Sequence, residues 1–225
     1  MSLKDSSMPE RRDIAVIGLG TFGTAVAKEL TRIGDNVTGI DRDTARITKL
    51  DGKIDSVVQA DATDIKVLRH IGVENFDSVI VAIGEDMQSS LLTILGLNEA
   101  GCETVYVKAQ TPEHARILKA MGVSNLLEPE QSFATRLSHY LHNPKVLDYL
   151  ELGGSHVVAT LGAPIGGAFR TADDIPLGAH NLTCVGIDTG EQIVIGHLSD
   201  HVLSVTDRLI VIGDRADINR FAKVG

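Results

Sequence analysis

The chain has 225 residues, enough for one large domain or two small ones and for a well-buried core. A formal net charge of −9, an aromatic content of 4% and the absence of Trp argue against nucleic acid or an anionic membrane surface as a partner. No apolar run approaches the roughly 20 residues that would span a bilayer.

The polar start, 1–12, lacks the apolar stretch of a signal peptide. Met1-Ser2-Leu3 reads as a cloning scar, and residues 1–11 are expected to be disordered. From there the chain alternates strand, helix and glycine. Residues 13–19 form an apolar, β-branched run, as expected of a strand buried on both faces. A helix follows over 22–33, stopped by Gly34, then a strand over 36–40 and an amphipathic helix over 43–50. Next come a strand over 56–60, a helix over 64–71 stopped by Gly72, and a strand over 78–83. A helix over 87–100 ends at Gly101, and a strand spans 104–109. Thr111-Pro112 opens a helix with an N-cap and a first-turn proline, closed by Gly122, before a short strand over 124–127. Such βα units predict an α/β fold: a doubly wound, parallel Rossmann-type sheet.

Residues 130–142 read as one more helix, and Asn143-Pro144 as a boundary or hinge. Beyond it, short strands are expected over 156–161, 182–188, 192–196 and 208–212, with a hairpin turn at 188–191 and a terminal helix over 214–224. The organisation predicted is a nucleotide-binding domain over 12–143 and a small α+β C-terminal lobe over 144–225.

Gly18-Leu19-Gly20-Thr21-Phe22-Gly23 is a G-x-G-x-x-G loop placed after a strand and opening a helix, the context that gives the pattern meaning. Gly18 makes the tight turn, Gly20 lets the backbone approach a pyrophosphate, and Gly23 lets the helix pack on the sheet. The helix N-terminus supplies N–H groups and positive potential for phosphate oxygens. Asp41, 18 residues past Gly23, suits a carboxylate accepting from the hydroxyls of an adenosine ribose, or else caps the next helix, for which Asp43 is the better candidate. Its charge disfavours a 2′-phosphate, whereas the adjacent Arg42 tolerates one. Asp61 and Ala62 lie beside the adenine position, to accept from its amino group or to form a capping turn. Ile83-Gly84-Glu85 ends the fourth strand, where ribose and phosphates would pass. Lys108 reaches a terminal phosphate or is solvated. Glu130 caps its helix or holds a divalent cation on a phosphate.

His139 and His142 lack an evident third metal ligand, and His197 and His201 are weaker candidates still. Cys102 and Cys184 stand far apart, belong to no C-x-x-C pair, and read as buried or half-buried thiols in a reducing compartment. No hydrolase triad or nucleophile elbow is present in the sequence.

In order, the glycine loop, Asp41, Ala60-Asp61-Ala62-Thr63, Val81-Ala82-Ile83-Gly84-Glu85, Val107-Lys108-Ala109-Gln110 and Glu128-Pro129-Glu130 resemble the RCK/KTN domain, the regulator of potassium conductance. The likeness is in particular to the Ktr/Trk-type cytosolic regulatory subunits of potassium transporters. It extends over nearly the whole chain after Arg12, including 207–213 (DRLIVIG) before the last helix.

The resemblance implies a non-enzymatic protein at the inner face of the membrane, bound to a potassium-translocating subunit. It implies dimers, with the 130–142 helix exchanged or packed against the partner, assembled into an octameric ring. ATP or ADP, or NAD(H), would occupy the glycine loop, with Glu130 helping to bind Mg²⁺ or Ca²⁺. Some members bind cyclic di-AMP at the C-terminal lobe, but no residue here carries a motif specific to that ligand. Many Ktr-type members have Arg at the position of Thr21, where it reads the terminal phosphate, and Thr21 brings no such charge. Two alternatives fit the glycine loop and Asp41: an NAD-dependent oxidoreductase, which would need an acid–base group and a substrate domain that the small second lobe does not offer, and a nucleotide-binding or redox-sensing adaptor for a soluble partner.

Overall fold

The computed structural model describes residues 11–84, 86–163 and 169–224. The expected disorder of 1–11 therefore falls almost wholly outside the described residues. The chain divides into two compact units between Pro129 and Glu130.

The first unit alternates β1 (Asp13–Ile17), α1 (Thr21–Ile33), β2 (Asn36–Asp41), α2 (Thr44–Leu50), β3 (Ser56–Gln59), α3 (Ile65–Ile71), β4 (Ser78–Val81), α4 (Met87–Ala100), β5 (Val105–Lys108), α5 (Pro112–Ala120) and β6 (Asn125–Leu127). All its strands pair in parallel, in the order β3-β2-β1-β4-β5-β6. This is the doubly wound Rossmann topology that the sequence predicts. Strand alternation explains the two layers. Ala15 and Ile17 of β1 join a core with Leu68 of α3, Ile94 and Leu97 of α4 and Leu118 of α5. Ile14 and Val16 point the other way, into a core with Ala27 of α1 and Leu50 of α2. Because β1 and β4 are covered on both faces, they read as unbroken apolar runs.

The second unit contains α6 (Pro129–His142), β7 (Val146–Gly153), β8 (His156–Gly162), β9 (Thr183–Asp188), β10 (Ile193–Val194), β11 (Arg208–Asp214) and α7 (Arg215–Val224). Its antiparallel sheet has the order β10-β9-β11-β8-β7. Val157, Ala159 and Leu161 of β8 and Leu209 and Val211 of β11 pack on Ile218, Phe221 and Ala222 of α7.

Three features differ from the sequence reading. The compact division falls before α6 rather than at Asn143-Pro144. Described side chains of this helix engage β7, where Arg136 forms a two-point ion pair with Asp148 (2.9 and 3.0 Å) and the His139 ring lies 5.5 Å from that of Tyr149. β7 itself was not anticipated; it pairs with β8 through a turn at Gly153 and Gly154, both at positive φ. The β9–β10 turn sits one residue later than expected, with Thr189 donating its N–H to Gln192 and Gly190 at φ +84°.

Candidate functional site

The described residues among those predicted in the first unit gather at the carboxyl edge of its parallel sheet. The strand tips there are tied to one another. Gly18 donates its N–H to the Ile40 carbonyl (2.8 Å), Ala82 to Ile17 (2.7 Å), and Ala60 to Asp41 (3.0 Å). Gly18 has φ +93°, and a Cβ on it would stand 2.9 Å from the Ala82 carbonyl carbon and the Ile83 nitrogen, so both conformation and space demand glycine. A Cβ on Gly23 would collide with the Gly18 carbonyl oxygen. Gly20 differs: the nearest atom to its virtual Cβ is an Arg46 guanidinium nitrogen at 4.0 Å, and the backbone faces open space.

Gly20 is also the N-cap residue of the 13-residue α1, with no side-chain cap and no acidic residue in the first turn. The loop thus turns uncapped N–H groups and the positive helix end toward an approachable backbone, which suits a phosphate group. Thr21 and Phe22 begin the helix, and Thr21 is exposed and uncharged.

Asp41 ends β2 and is only 7% exposed. One carboxylate oxygen accepts from the Leu19 N–H (2.7 Å) and from Arg46 (3.3 Å), and the other from the Asp43 N–H (2.9 Å). Asp41 therefore braces the glycine loop from within. It does not cap α2; Asp43 does, accepting from Ala45 (2.8 Å). A carboxylate has about four acceptor positions, so a ribose hydroxyl can use the one left, and a second must displace Arg46.

The cation on Asp41 is Arg46, a residue the sequence reading did not name. Arg46 lies one helical turn past Asp43, to which it also pairs at 3.6 Å. That i,i+3 Asp–Arg spacing was the signal available in the sequence. Arg42 is exposed, and its charge helps hold down the carboxyl groups of Asp61 and Asp86.

Asp61 is exposed and accepts from the Thr63 N–H (3.0 Å) and hydroxyl (2.7 Å); these bonds hold its carboxyl below the usual carboxylate range. It shapes the turn into α3, with Ala62 buried behind it. Ile83 and Gly84 follow β4, and Glu85 lies outside the described residues. Lys108, at the end of β5, holds its ammonium 5.5 Å from the centre of the Phe22 ring and 4.0 Å from the virtual Cβ of Gly84. A cation thus stands near the glycine loop.

Glu130 belongs to the first turn of α6 in the second unit and is exposed. Among the described residues no group of three or more His, Cys, Asp or Glu side chains is placed to hold a metal. His201 is engaged elsewhere, 2.7 Å from the buried Asp207 carboxylate. Cys102 and Cys184 are half-buried, and burial pushes the Cys102 thiol up to about 11. Among the described residues no helix is long and apolar enough to cross a membrane.

A parallel sheet of this order with a glycine turn at its central strand and a buried acid at the tip of the next defines the class of doubly wound, Rossmann-type folds. Residues 14–129 match the model of the TrkA-N domain, and the chain belongs to that family. Over 214 residues it is 38% identical to the Ktr system potassium uptake protein C of Bacillus subtilis (strain 168), covering 95% of this chain and 97% of that protein. Among solved structures, the GsuK RCK domain aligns at TM-score 0.64 and 16% identity, over 96% of this chain and 48% of that one. A structure described as the GsuK channel bound to NAD aligns at TM-score 0.63 and 16% identity, over 93% and 38% respectively. These structures establish likeness of fold.

Proposed function

We propose that the chain is a cytosolic regulatory subunit of a potassium transporter, and that an adenine nucleotide bound at the glycine loop sets its state. The observation that carries this reading is the pairing of an approachable Gly20 backbone with the buried Asp41 carboxylate, in a chain so similar to a Ktr potassium uptake protein. Gly18 to Gly23 cradle the phosphates, Asp41 takes the ribose, and Asp61 with Ala62 borders the adenine. Ile83, Gly84 and Glu85 line the path between ribose and phosphates, and Lys108 supplies positive charge toward the phosphate end. Arg42 and Arg46 frame the ribose side.

The occupant is ATP, ADP or NAD(H), with Glu130 contributing to a Mg²⁺ or Ca²⁺ ion held on the phosphates. Thr21 adds no charge at the loop, so selection of a terminal phosphate rests on Lys108 and the cation. The protein acts as a regulator, not as an enzyme. Its ligand biases two states of an assembly by its difference in affinity for them, and that difference limits the work available at the pore.

The assembly proposed is a homodimer built into an octameric ring. α6 buries none of its residues within the chain and exposes Phe133 and Leu141 at 64% and 67%. Its face borders a cavity of about 200 Å³ that is also lined by Leu147 and Tyr149, a surface suited to a second copy. A functional boundary at 143/144, which counts α6 with the nucleotide-binding domain although the compact division falls before it, and a cyclic di-AMP site on the C-terminal lobe belong to the same proposal.

Calorimetry with ATP, ADP, NAD⁺ and NADH, each with and without Mg²⁺ or Ca²⁺, tests the reading. ATP or ADP binding that depends on the cation supports it in full. NAD(H) binding without a cation effect shifts the occupant, and binding of none of them sinks the nucleotide site.

A further inference from the structure

We propose that Gln110 and His114 form a positioning relay that holds the floor of the glycine loop for nucleotide. This rests on the nucleotide reading above, but neither residue belongs to the loop. Gln110 follows β5, and its side-chain amide donates to the Ile83 carbonyl at 3.1 Å. The Ile83 nitrogen and the adjoining Ala82 carbonyl carbon form the peptide against which Gly18 is pressed. Gln110 thus holds the next peptide, Ile83–Gly84, which shares the Ile83 residue with the surface on which the loop turns.

The backbone N–H of Gln110 donates in turn to Nδ1 of His114 at 3.3 Å, and the His114 N–H donates to the Thr111 hydroxyl at 3.1 Å. His114 occupies the third position of α5, where a Glu or Gln ordinarily reaches back to the N-cap N–H. Here the side chain reaches one residue further, to the residue that clamps Ile83. Accepting at Nδ1 requires a neutral ring with its proton on Nε2. That Nε2 is fully buried without a hydrogen-bond partner among the described residues. The rigid ring fixes the Gln110 backbone, and through it the Ile83 carbonyl. Burial lowers the pKa of His114 and so favours the neutral form that the relay needs.

The test is ADP and ATP affinity of the full chain by calorimetry at neutral pH, beside equilibrium denaturation. Gln110→Ala removes the clamp. His114→Phe removes the acceptor but keeps the ring, and His114→Gln restores an acceptor. The expected result is a loss of about five- to tenfold in affinity for Gln110→Ala and for His114→Phe. The double variant should lose little more than either alone, and His114→Gln should recover most of the loss. Gln110 is only half-buried, so Gln110→Ala should keep its denaturation midpoint near wild type and serves as the deciding variant if His114→Phe does not fold. Wild-type affinity in Gln110→Ala overturns the relay and leaves the nucleotide reading intact, as do additive losses that His114→Gln fails to recover. A wild-type chain that binds neither ADP, ATP nor NAD(H) overturns both.

Discussion

Arg46 and the Leu19 N–H converge on the same oxygen of Asp41, at 3.3 and 2.7 Å. One buried carboxylate therefore braces the glycine loop, anchors a cation on the next helix and, in the function proposed, is the acceptor offered to a ribose.

Asp41→Ala should abolish tight adenine-nucleotide binding, with a loss of at least about tenfold by calorimetry. It also strips the Leu19 N–H of its acceptor, so denaturation should show a cost of about 1–3 kcal/mol. A variant that binds normally would remove Asp41 from the site.

Arg46→Met should sharpen recognition of the ribose. With Arg46 on the carboxylate, a second hydroxyl has to displace a charged donor; without it, both hydroxyls find open acceptor positions. The affinity ratio of ADP to 2′-deoxy-ADP cancels the lost phosphate attraction common to both ligands. We expect that ratio to rise by about threefold or more. An unchanged ratio would show that Arg46 does not contest the ribose.

The first two glycines of the loop should separate folding from binding. Gly18→Ala meets both a left-handed backbone and the Ala82-Ile83 peptide, and should destabilise by about 1–3 kcal/mol in thermal melts. Gly20→Ala meets open space, and should fold normally yet bind nucleotide more weakly, because the added methyl stands where the backbone approaches phosphate.

His114 makes stability fall with acid. Burial lowers its pKa below the ordinary 6.5, so the unfolded chain takes up the proton first. The contribution of the neutral ring is fully present above the unfolded value and is lost as pH falls from there through the lowered folded value. Denaturation midpoints measured from pH 7.5 downward should decline more in wild type than in His114→Gln. Parallel declines would assign the acid sensitivity to other groups.

The legible part of this chain was the part where burial leaves one solution. β1 and β4 are closed on both faces, so their apolar runs could be read directly, and the glycines that stop α1, α3 and α4 each take the left-handed conformation that ends a helix. β7 escaped because it lies at a sheet edge. Leu150 and Leu152 are exposed, the register slips near both ends of the strand, and no alternation is enforced. The Gly153-Gly154 pair was its remaining trace. In the site, glycines and Asp41 could be named because their spacing is fixed by the turn. Arg46 left one trace, its i,i+3 spacing from Asp43, which does not reveal its reach to Asp41, and Gln110 left none, since its side chain returns across 27 residues to Ile83.

The contact between Gly23 and Ala82 makes the glycine hexapeptide a poor unit for transplantation. A Cβ on Gly23 would stand 3.1 Å from the Ala82 methyl, and Ala82 itself is buried. A larger residue at 82 would therefore press on the start of α1 even with every loop glycine retained. Moving this loop into another scaffold requires carrying over a small residue just past the end of the neighbouring strand, 59 positions further along the chain.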